Sequence, residues 1–179
     1  MNEILLQKLK SAIRDVPDFP KPGIIFKDLT TVFKDPDLMK LIVEDLAEYY
    51  SLKGITKVVG IESRGFIAGG ALALKLGAGF VPIRKPGKLP AATYRKEYSL
   101  EYGKDAVEIH QDALNKNDIV LLHDDLLATG GTARAACEMI SIFKIKKLYI
   151  NFIVELSFLR GRDLLANQAE VMSVVRFDH

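Results

Sequence analysis

Residues 118–137 constrain the fold of this chain more than any other stretch, because they read as a buried strand, a tight turn and a helix in direct succession. The apolar run "IVLLH" ends in Asp124 and Asp125, and "ATGGT" then leads into "ARAAC". Paired glycines permit positive φ angles and close approach of the backbone, and the unpaired N–H groups of a helix N-terminus favour an anion. This unit therefore predicts a phosphate site at the end of a sheet strand, with two carboxylates beside it.

Strands and helices alternate along the rest of the chain. Apolar or β-branched runs predict strands at 57–63, 79–85, 106–110, 117–125, 147–156 and 170–177. Apolar residues at helical spacing predict helices at 4–16, 35–50, 64–77 and 131–143. Such alternation is typical of an α/β fold with a mostly parallel central sheet and helices on both faces, in which ligands bind beyond the carboxyl ends of the strands.

Two segments lack this regularity. The stretch "VPDFPKPGIIFKD" is rich in proline and is predicted to be extended and irregular, so the single structural domain divides into an N-terminal helix and segment at 1–34 and a core at 35–179. Residues 84–105 are rich in Lys, Arg, Tyr, Pro and Gly without clear periodicity, which predicts a long loop. Loops of this length in a compact domain are usually functional or disordered.

The composition argues against several classes of protein. A net charge of +2 over 179 residues is too small to indicate a nucleic-acid partner, and no apolar stretch reaches the ~18 residues of a membrane span. The single Cys137 excludes an internal disulfide and fits a reducing cytoplasm, and the three histidines have no metal-ligand spacing that would indicate zinc. The patterns GxxxxGK[ST] and GxGxxG are absent, which argues against a nucleoside triphosphatase or a Rossmann dehydrogenase.

The two aspartates narrow the choice of ligand. Carboxylates repel phosphate, so Asp124 and Asp125 must hold another part of the molecule, and the hydroxyls of a vicinal diol donate hydrogen bonds to carboxylates. The ligand that fits is a phosphorylated ribose, with a divalent metal to offset the remaining charge. The alternative is that the two residues only cap the next helix, since Asp is a favoured N-cap residue.

Residues 120–132, "VLLHDDLLATGGT", resemble the phosphoribosyl-pyrophosphate signature of the type I phosphoribosyltransferases, and "DDLLATGGT" is similar to the branch of that family that acts on adenine. Five more stretches agree in order: "DFPKPGIIFKDLT", "IESRGF", "PIRKPGKLP", "YSLEYG" and "VELSFLRGR". The resemblance implies the type I phosphoribosyltransferase core with a small N-terminal hood at 1–34 and a mobile catalytic loop at about 84–105. It also implies a purine-salvage reaction, in which adenine and phosphoribosyl pyrophosphate form AMP and pyrophosphate.

The same resemblance implies the cofactor and the partners. Mg²⁺ is expected as the cofactor, held mainly by the pyrophosphate of the donor and by water, without a direct metal ligand from the protein. The expected partners are the two substrates, the two products and a second copy of the chain in a homodimer, with neither nucleic acid nor membrane. The expected location is the cytoplasm.

Residues for the donor follow from the matching motifs. The resemblance implies that the 5′-phosphate is cradled by Ala128, Thr129, Gly130, Gly131 and Thr132. It implies that Asp124 and Asp125 hold the ribose hydroxyls, and that a loop facing pyrophosphate is formed by Glu62, Ser63 and Arg64. Family members often carry a cis peptide in this loop. Arg64 is a candidate catalytic anion clamp, and the alternative is a solvated residue at a helix start.

The catalytic loop supplies the remaining candidates. By resemblance, Arg84 and Lys88 meet pyrophosphate when the loop closes. The other cations are expected to face solvent, namely Lys85, Arg95 and Lys96. In "YSLEYG", Glu101 with the adjacent Tyr102 is expected over the purine, where Glu101 exchanges the ring proton as the glycosidic bond forms. The alternative for Glu101 is an exposed loop acid.

The base is expected to lie in the hood, where the resemblance implies main-chain recognition around Ile25. Family members commonly have arginine where this chain has Lys27, and lysine lacks the planar fork for bidentate or stacking contacts. His123 also departs from the usual apolar residue. We interpret it as a buried strand-end histidine with a hydrogen-bond partner rather than a catalytic group.

Two alternative functions are weighed beside transfer to adenine. One is transfer to hypoxanthine, guanine or xanthine, but those relatives usually bind the base from a C-terminal hood, whereas the matching segment here is N-terminal. The other is a regulator that senses phosphoribosyl pyrophosphate. Such proteins add a DNA-binding domain or lose the catalytic loop, and here "YSLEYG" is intact.

Overall fold

The computed structural model describes residues 3–19, 21–99 and 104–178. Its elements in chain order are α1 (Glu3–Ala12), β1 (Arg14–Pro17), β2 (Ile25–Asp28), α2 (Thr30–Phe33), α3 (Pro36–Tyr50), β3 (Lys57–Ile61), α4 (Gly65–Leu76), β4 (Gly79–Ile83), β5 (Thr93–Ser99), β6 (Lys104–His110), β7 (Ile119–Leu127), α5 (Gly131–Ser141), β8 (Lys147–Leu156) and β9 (Glu170–Phe177). Two short 3₁₀ helices, Ser157–Leu159 and Gly161–Leu165, connect β8 to β9. In the described part of the chain, no helix is long and apolar enough to cross a membrane.

The central sheet has the strand order β4-β3-β7-β8-β9, and each neighbouring pair is parallel. Register places Val59 opposite Leu122 and Leu122 opposite Ile150. The predicted parallel α/β sheet is therefore confirmed. Because parallel strands end at the same edge, the segments that follow β3, β4, β7 and β8 meet there, as the usual ligand position in such sheets requires.

The two faces of the sheet carry separate cores. Leu121 of β7 packs in one buried cluster with Leu9 of α1, Ile42 of α3 and Leu72 of α4. The next residue, Leu122, points the other way, into a second cluster that includes Ile140 of α5. Strand alternation thus covers both faces with helices, which explains why β7 reads as a continuous apolar run.

Local signals set the ends of the helices. The Asp35 side chain accepts the N–H groups of Asp37 at 3.0 Å and Leu38 at 3.1 Å, and Pro36 occupies the first helical position of α3. Helix α4 ends at Gly77, whose φ of 66° lies in the left-handed region. Both ends agree with the sequence prediction.

The N-terminal hood is more regular than predicted. Strands β1 and β2 pair antiparallel, with Arg14 opposite Asp28 and Pro17 opposite Ile25. The Arg14 guanidinium lies 2.5 Å from the Asp28 carboxylate, and this hydrogen bond lowers the pKa of Asp28 to about 2. The prolines leave enough hydrogen-bonding positions for a four-residue ladder. Among the described residues of this stretch, the expectation of an irregular segment therefore holds only for those between the two strands.

The predicted long loop at 84–105 is also partly wrong, because residues 93–99 form β5. This strand pairs antiparallel with β6, and we call the two strands the lid hairpin. Three alternate side chains of β5 contact α5 or its neighbours: Tyr94 meets the Phe143 ring at 5.5 Å, Lys96 pairs with Glu138 at 2.6 Å, and the Tyr98 hydroxyl accepts from Thr132 at 3.2 Å. Irregular chain within the predicted loop is therefore confined to 84–92 among the described residues.

Candidate active site

The acidic pair lies near the end of β7, where the apolar strand reaches the sheet edge. Asp125 is buried and Asp124 is partly exposed. The N–H of Asp125 donates to Asp124 Oδ1 at 2.9 Å, which orders that carboxylate. Arg64, at the start of α4 on the neighbouring strand connection, places Nε 2.8 Å from Asp125 Oδ2. The structure thus brings three predicted site residues together from two separate motifs.

Burial sets the charge state of this pair. Desolvation raises the pKa of Asp124 well above its ordinary value, and the charge of Asp125 raises it further. Desolvation also raises the pKa of Asp125, while the Arg64 guanidinium opposes that shift. Within the described residues, no group donates an aligned hydrogen bond to Asp125 Oδ2. The pair therefore favours a ligand group that donates hydrogen bonds or carries positive charge.

The turn at 128–132, which we call the phosphate turn, follows the acidic pair directly. Gly130 has a φ of 85° and precedes the first residue of α5, so the N–H groups of the helix start point away from α5. A small cavity of ≈ 90 Å³ is lined by the turn together with Asp124 and Phe152. An exposed concavity at a helix N-terminus suits an anion, and a carboxylate on its wall suits the neighbouring hydroxyls of the same ligand.

Gly161 supports the phosphate turn and was not singled out from the sequence. A Cβ on Gly161 would lie 2.1 Å from the carbonyl oxygen of Ala128 and 2.9 Å from the N atom of Gly130. The segment after β8 therefore packs backbone to backbone against the turn. The only sequence signal for Gly161 is its position in the matching stretch "VELSFLRGR". That match does not by itself indicate that the glycine packs against the phosphate turn.

The loop after β3 carries a cis peptide between Glu62 and Ser63. The Glu62 carboxylate accepts two hydrogen bonds from Arg84, each 3.1 Å, and one from the N–H of Lys85 at 2.9 Å. The Arg84 hydrogen bonds lower the pKa of Glu62. Ser63 is exposed. The carboxylate of Glu62, which was predicted to bind substrate, is thus occupied by Arg84 and by the N–H of Lys85.

Arg84 retains donors for an anion. Its Nε, Nη1 and Nη2 atoms donate to Glu62 and to the carbonyl of Lys88, which uses three of the five N–H groups of a guanidinium. Lys88 is exposed beside it, and its charge contributes to the lowered pKa of Glu62. These two cations therefore stand together beyond the end of β4.

The other cations of this region have ion-pair partners; Arg95 and Lys96 are exposed to solvent as expected, whereas Lys85 is not. Lys85 is half-buried and pairs with Asp105 of the lid hairpin, and the exposed Lys96 pairs with Glu138. Arg95 is exposed, with an ion pair to Glu97 at 3.3 Å. Sequence reasoning missed the first two pairs because their acids are distant in the chain.

The hood lies next to the acidic pair through Arg64. The Arg64 guanidinium sits 5.4 Å from the centre of the Phe26 ring, and Phe19 packs edge-on against the same ring at 5.2 Å. Ile25 is 55% exposed, whereas Lys27 is buried, with Nζ 2.7 Å from Asp15. The contact of Phe26 with Arg64 was not predicted from the sequence, although Phe26 stands between two residues that were named, Ile25 and Lys27.

The predictions for His123 and for the expected catalytic residues Glu101 and Tyr102 have different outcomes. His123 is buried and its Nδ1 lies 2.8 Å from Asn151 Oδ1, which confirms the interpretation of a partnered core histidine. Burial lowers its pKa to about 4. Glu101 and Tyr102 lie outside the described residues, between the two strands of the lid hairpin, so their roles stay predictions.

Known proteins are similar to this chain in sequence and fold over nearly its whole length. Residues 30–173 match the phosphoribosyl transferase domain family. The adenine phosphoribosyltransferase of Bacteroides fragilis is 59% identical over 165 residues, which cover 92% of this chain and 93% of that protein. The crystal structure of adenine phosphoribosyltransferase from Rhodothermus marinus aligns with a TM-score of 0.91 at 50% identity, and covers 98% of this chain and 100% of that chain.

A structure with ligands is also similar. The adenine phosphoribosyltransferase of Saccharomyces cerevisiae, complexed with an imino-altritol bisphosphate and adenine, aligns with a TM-score of 0.90 at 40% identity, over 97% of this chain and 99% of that chain. The parallel sheet, the acidic strand end and the phosphate turn are thus those of a phosphoribosyltransferase. Within that class, the chain belongs to the adenine phosphoribosyltransferase family. The family and fold predicted from the sequence are confirmed.

Proposed function

We propose that this protein transfers the phosphoribosyl group of phosphoribosyl pyrophosphate to adenine, forming AMP and pyrophosphate. The observation that carries the proposal is the continuity of the acidic pair and the phosphate turn within one strand–turn–helix unit, beside the Arg64 loop. The relatives named adenine phosphoribosyltransferase, and the yeast structure that holds a bisphosphate together with adenine, support the same substrates.

The donor would bind across the carboxyl edge of the sheet. The phosphate turn would receive the 5′-phosphate through backbone N–H groups and the hydroxyls of Thr129 and Thr132. Asp124 and Asp125 would accept hydrogen bonds from the two ribose hydroxyls, which is the interaction that carboxylates shielded from water favour. Arg84 and Lys88 would meet the pyrophosphate.

The chemistry breaks the bond from C1′ to the pyrophosphate oxygen and forms a bond from C1′ to N9 of adenine. As the leaving group takes the bonding electrons, C1′ becomes oxocarbenium-like, and the nearby carboxylates stabilise this positive charge. Adenine must lose one ring proton as this bond forms, and we assign Glu101 as the general base that accepts the proton. Water would also attack the cationic carbon, so the lid hairpin would protect the sugar from hydrolysis by covering the site.

Mg²⁺ is the proposed cofactor. Among the described residues, no group of three or more His, Cys, Asp or Glu side chains is placed to hold a metal ion. The oxygen donors present, the Asp124 and Asp125 carboxylates, have the hard character that Mg²⁺ prefers. They would attract the ion through their charge, while its direct ligands would be oxygens of the donor and water, without a direct ligand from the protein. When bound, the ion would neutralise charge on the leaving pyrophosphate.

The hood is the proposed site for the base. Main-chain donors and acceptors around Ile25 would read the edge of adenine, and the Phe26 ring beside Arg64 offers a face on which a purine can stack. Lys27 is turned towards Asp15, so its side chain supports the hood rather than contacting the base.

We propose a homodimer in the cytoplasm. Ile67 and Leu74, the latter 85% exposed, lie seven residues apart on one face of α4, which is apolar on nearly all sides. A helix of this kind is normally buried, and a second copy would cover it. A buried free Cys137 fits a reducing compartment. Sedimentation of the wild-type protein tests the assembly, and a monomer would contradict it.

Nucleotide formation is the direct test of the activity. The protein is incubated with phosphoribosyl pyrophosphate, Mg²⁺ and each purine base in turn, and we expect AMP from adenine. Formation of IMP or GMP without AMP would exclude the adenine assignment. Omission of Mg²⁺, with a chelator present, should abolish turnover.

Glu101→Ala tests the proton-transfer role. We expect turnover to fall by about 10²–10⁴-fold, the range of general acid–base catalysis, with donor affinity retained. Glu97→Ala is the matched control, because Glu97 is an exposed acid on the same hairpin whose partner is the exposed Arg95. Loss of donor binding in Glu101→Ala would show that the assigned role is wrong.

A further inference from the structure

Tyr98, on the lid hairpin, uses every hydrogen-bonding position of its hydroxyl group. The hydroxyl donates to Asp105 Oδ2 at 3.1 Å, and accepts from Thr132 Oγ1 at 3.2 Å and from Lys85 Nζ at 3.4 Å. A phenol has one hydrogen and two lone pairs, so these three partners saturate it. One half-buried oxygen therefore joins the hairpin, the segment after β4 and the phosphate turn.

The contact with Thr132 sets up a competition. Thr132 belongs to the phosphate turn, and its hydroxyl donates its single hydrogen to Tyr98. An ionised phosphate is an acceptor only, so it needs that same hydrogen to bond the Thr132 side chain. Thr132 can serve Tyr98 or a phosphate oxygen, but it cannot serve both.

The other two contacts of Tyr98 lead to the catalytic segments. Tyr98 and Asp105 are directly opposite each other in the hairpin ladder, next to the residues that connect its strands and include Glu101. Lys85 pairs with Asp105 and follows Arg84, the proposed pyrophosphate ligand. The Tyr98 hydroxyl therefore links the phosphate turn to the lid strand, while the Lys85–Asp105 ion pair holds the pyrophosphate segment independently of it.

We propose that Tyr98 is a positioning residue that couples occupation of the phosphate turn to the lid hairpin. A 5′-phosphate in the turn takes the Thr132 hydroxyl from Tyr98, which releases the hairpin from the turn at this point, while the pairing of Lys85 with Asp105 remains. Donor binding thereby frees the lid strand that precedes Glu101. The inference rests on the proposed function and adds a route of communication within that site.

Tyr98→Phe tests the competition by calorimetric titration with two probes. Ribose 5-phosphate reports on the phosphate turn, and inorganic pyrophosphate reports on the site near Arg84. Without the competing phenol, Thr132 is free to bind phosphate, so we expect ribose 5-phosphate to bind about two- to tenfold tighter, the range of one net hydrogen bond. Pyrophosphate affinity should stay unchanged. In a Thr132→Val background, Tyr98→Phe should give no gain.

Tyr94→Phe is the matched control on the same strand. Its ring packs on Phe143 at 5.5 Å, and within the described residues its hydroxyl makes no hydrogen bond, so neither probe should bind differently. Unchanged ribose 5-phosphate affinity in a folded Tyr98→Phe variant would overturn the coupling. Weaker binding of both probes would also overturn it, because it would show a merely structural anchor. These titrations need no turnover, so absence of AMP formation by the wild type would refute the proposed activity separately.

Discussion

A methyl group added at Gly161 should disable the donor site, although Gly161 itself is not among the residues proposed to contact the donor. The added Cβ would lie 2.1 Å from the Ala128 carbonyl oxygen, and the nearby atoms of Thr129 and Gly130 are also backbone atoms that cannot rotate away. Carbon and carbonyl oxygen normally approach no closer than about 3.3 Å, so the phosphate turn must retreat by about 1.2 Å. Gly161 does not have a positive φ angle, so an alanine at this position would suffer a steric clash but no backbone strain.

The expected loss follows from that displacement. A misplacement of about 1 Å in a binding group costs roughly 10²-fold in rate, or about 2.7 kcal/mol of transition-state stabilisation. We expect Gly161→Ala to lower kcat/KM for phosphoribosyl pyrophosphate by that factor at saturating adenine. Overpacking should also lower the free energy of unfolding by about 1–3 kcal/mol.

Asp163→Ala provides the control, because it alters the same 3₁₀ helix at an exposed side chain whose ion pair is with Arg160. Exposed pairs contribute at most about 1 kcal/mol, so kcat/KM should stay close to that of the wild type. If Gly161→Ala kept the wild-type kcat/KM for the donor, the support of the turn by this segment would be refuted.

Two further predictions concern titratable groups of β7 whose pKa values are shifted by desolvation. Asp124→Asn should raise Tm at pH 7, because desolvation raises the pKa of Asp124 and its ionised form therefore opposes folding. The gain in Tm should vanish below about pH 3.8, where the carboxyl group is protonated in both the folded and the unfolded state. A lower Tm of the variant at pH 7 would contradict the reasoning. His123 has its pKa lowered from 6.5 to about 4, so the wild type should lose about 3 kcal/mol of unfolding free energy as the pH falls through that window. His123→Asn keeps a donor for Asn151 without a proton to gain, and parallel stability curves for the two proteins would contradict this account.

The core of the fold was readable from the sequence because each element carries its own local signal. Strand β7 is a continuous apolar run, α3 has its proline at the first position after a capping aspartate, and α4 ends at Gly77. The acidic pair and the phosphate turn are contiguous, so their proximity was fixed by the chain itself. Residues that function as one contiguous unit need no tertiary information to be recognised.

Strand β5 was missed for the opposite reason. Its alternate side chains that reach α5, namely Tyr94, Lys96 and Tyr98, do have the period of two that a strand requires. They are not the β-branched residues that usually mark strands, and the groups that stabilise them belong to α5 and its flanking turns, more than 30 residues away. A strand held by polar contacts to a distant helix resembles a charged loop when only its own sequence is considered.

The contrast between local signals and contacts from distant residues also explains Lys27 and His123, the two residues expected to depart from the family pattern. Lys27 replaces a common arginine, but its ammonium group is engaged by Asp15 and lies 4.4 Å from the centre of the Phe177 ring, so it stabilises the hood without the planar fork. His123 replaces an apolar residue, and Asn151 supplies the partner that makes its burial tolerable. Both partners come from other strands. A polar residue near an active site bears on the chemistry only when a donor or acceptor is both free and accessible to the ligand. Lys27 has its ammonium group engaged by Asp15, and His123 has Nδ1 engaged by Asn151 and its remaining nitrogen, Nε2, buried.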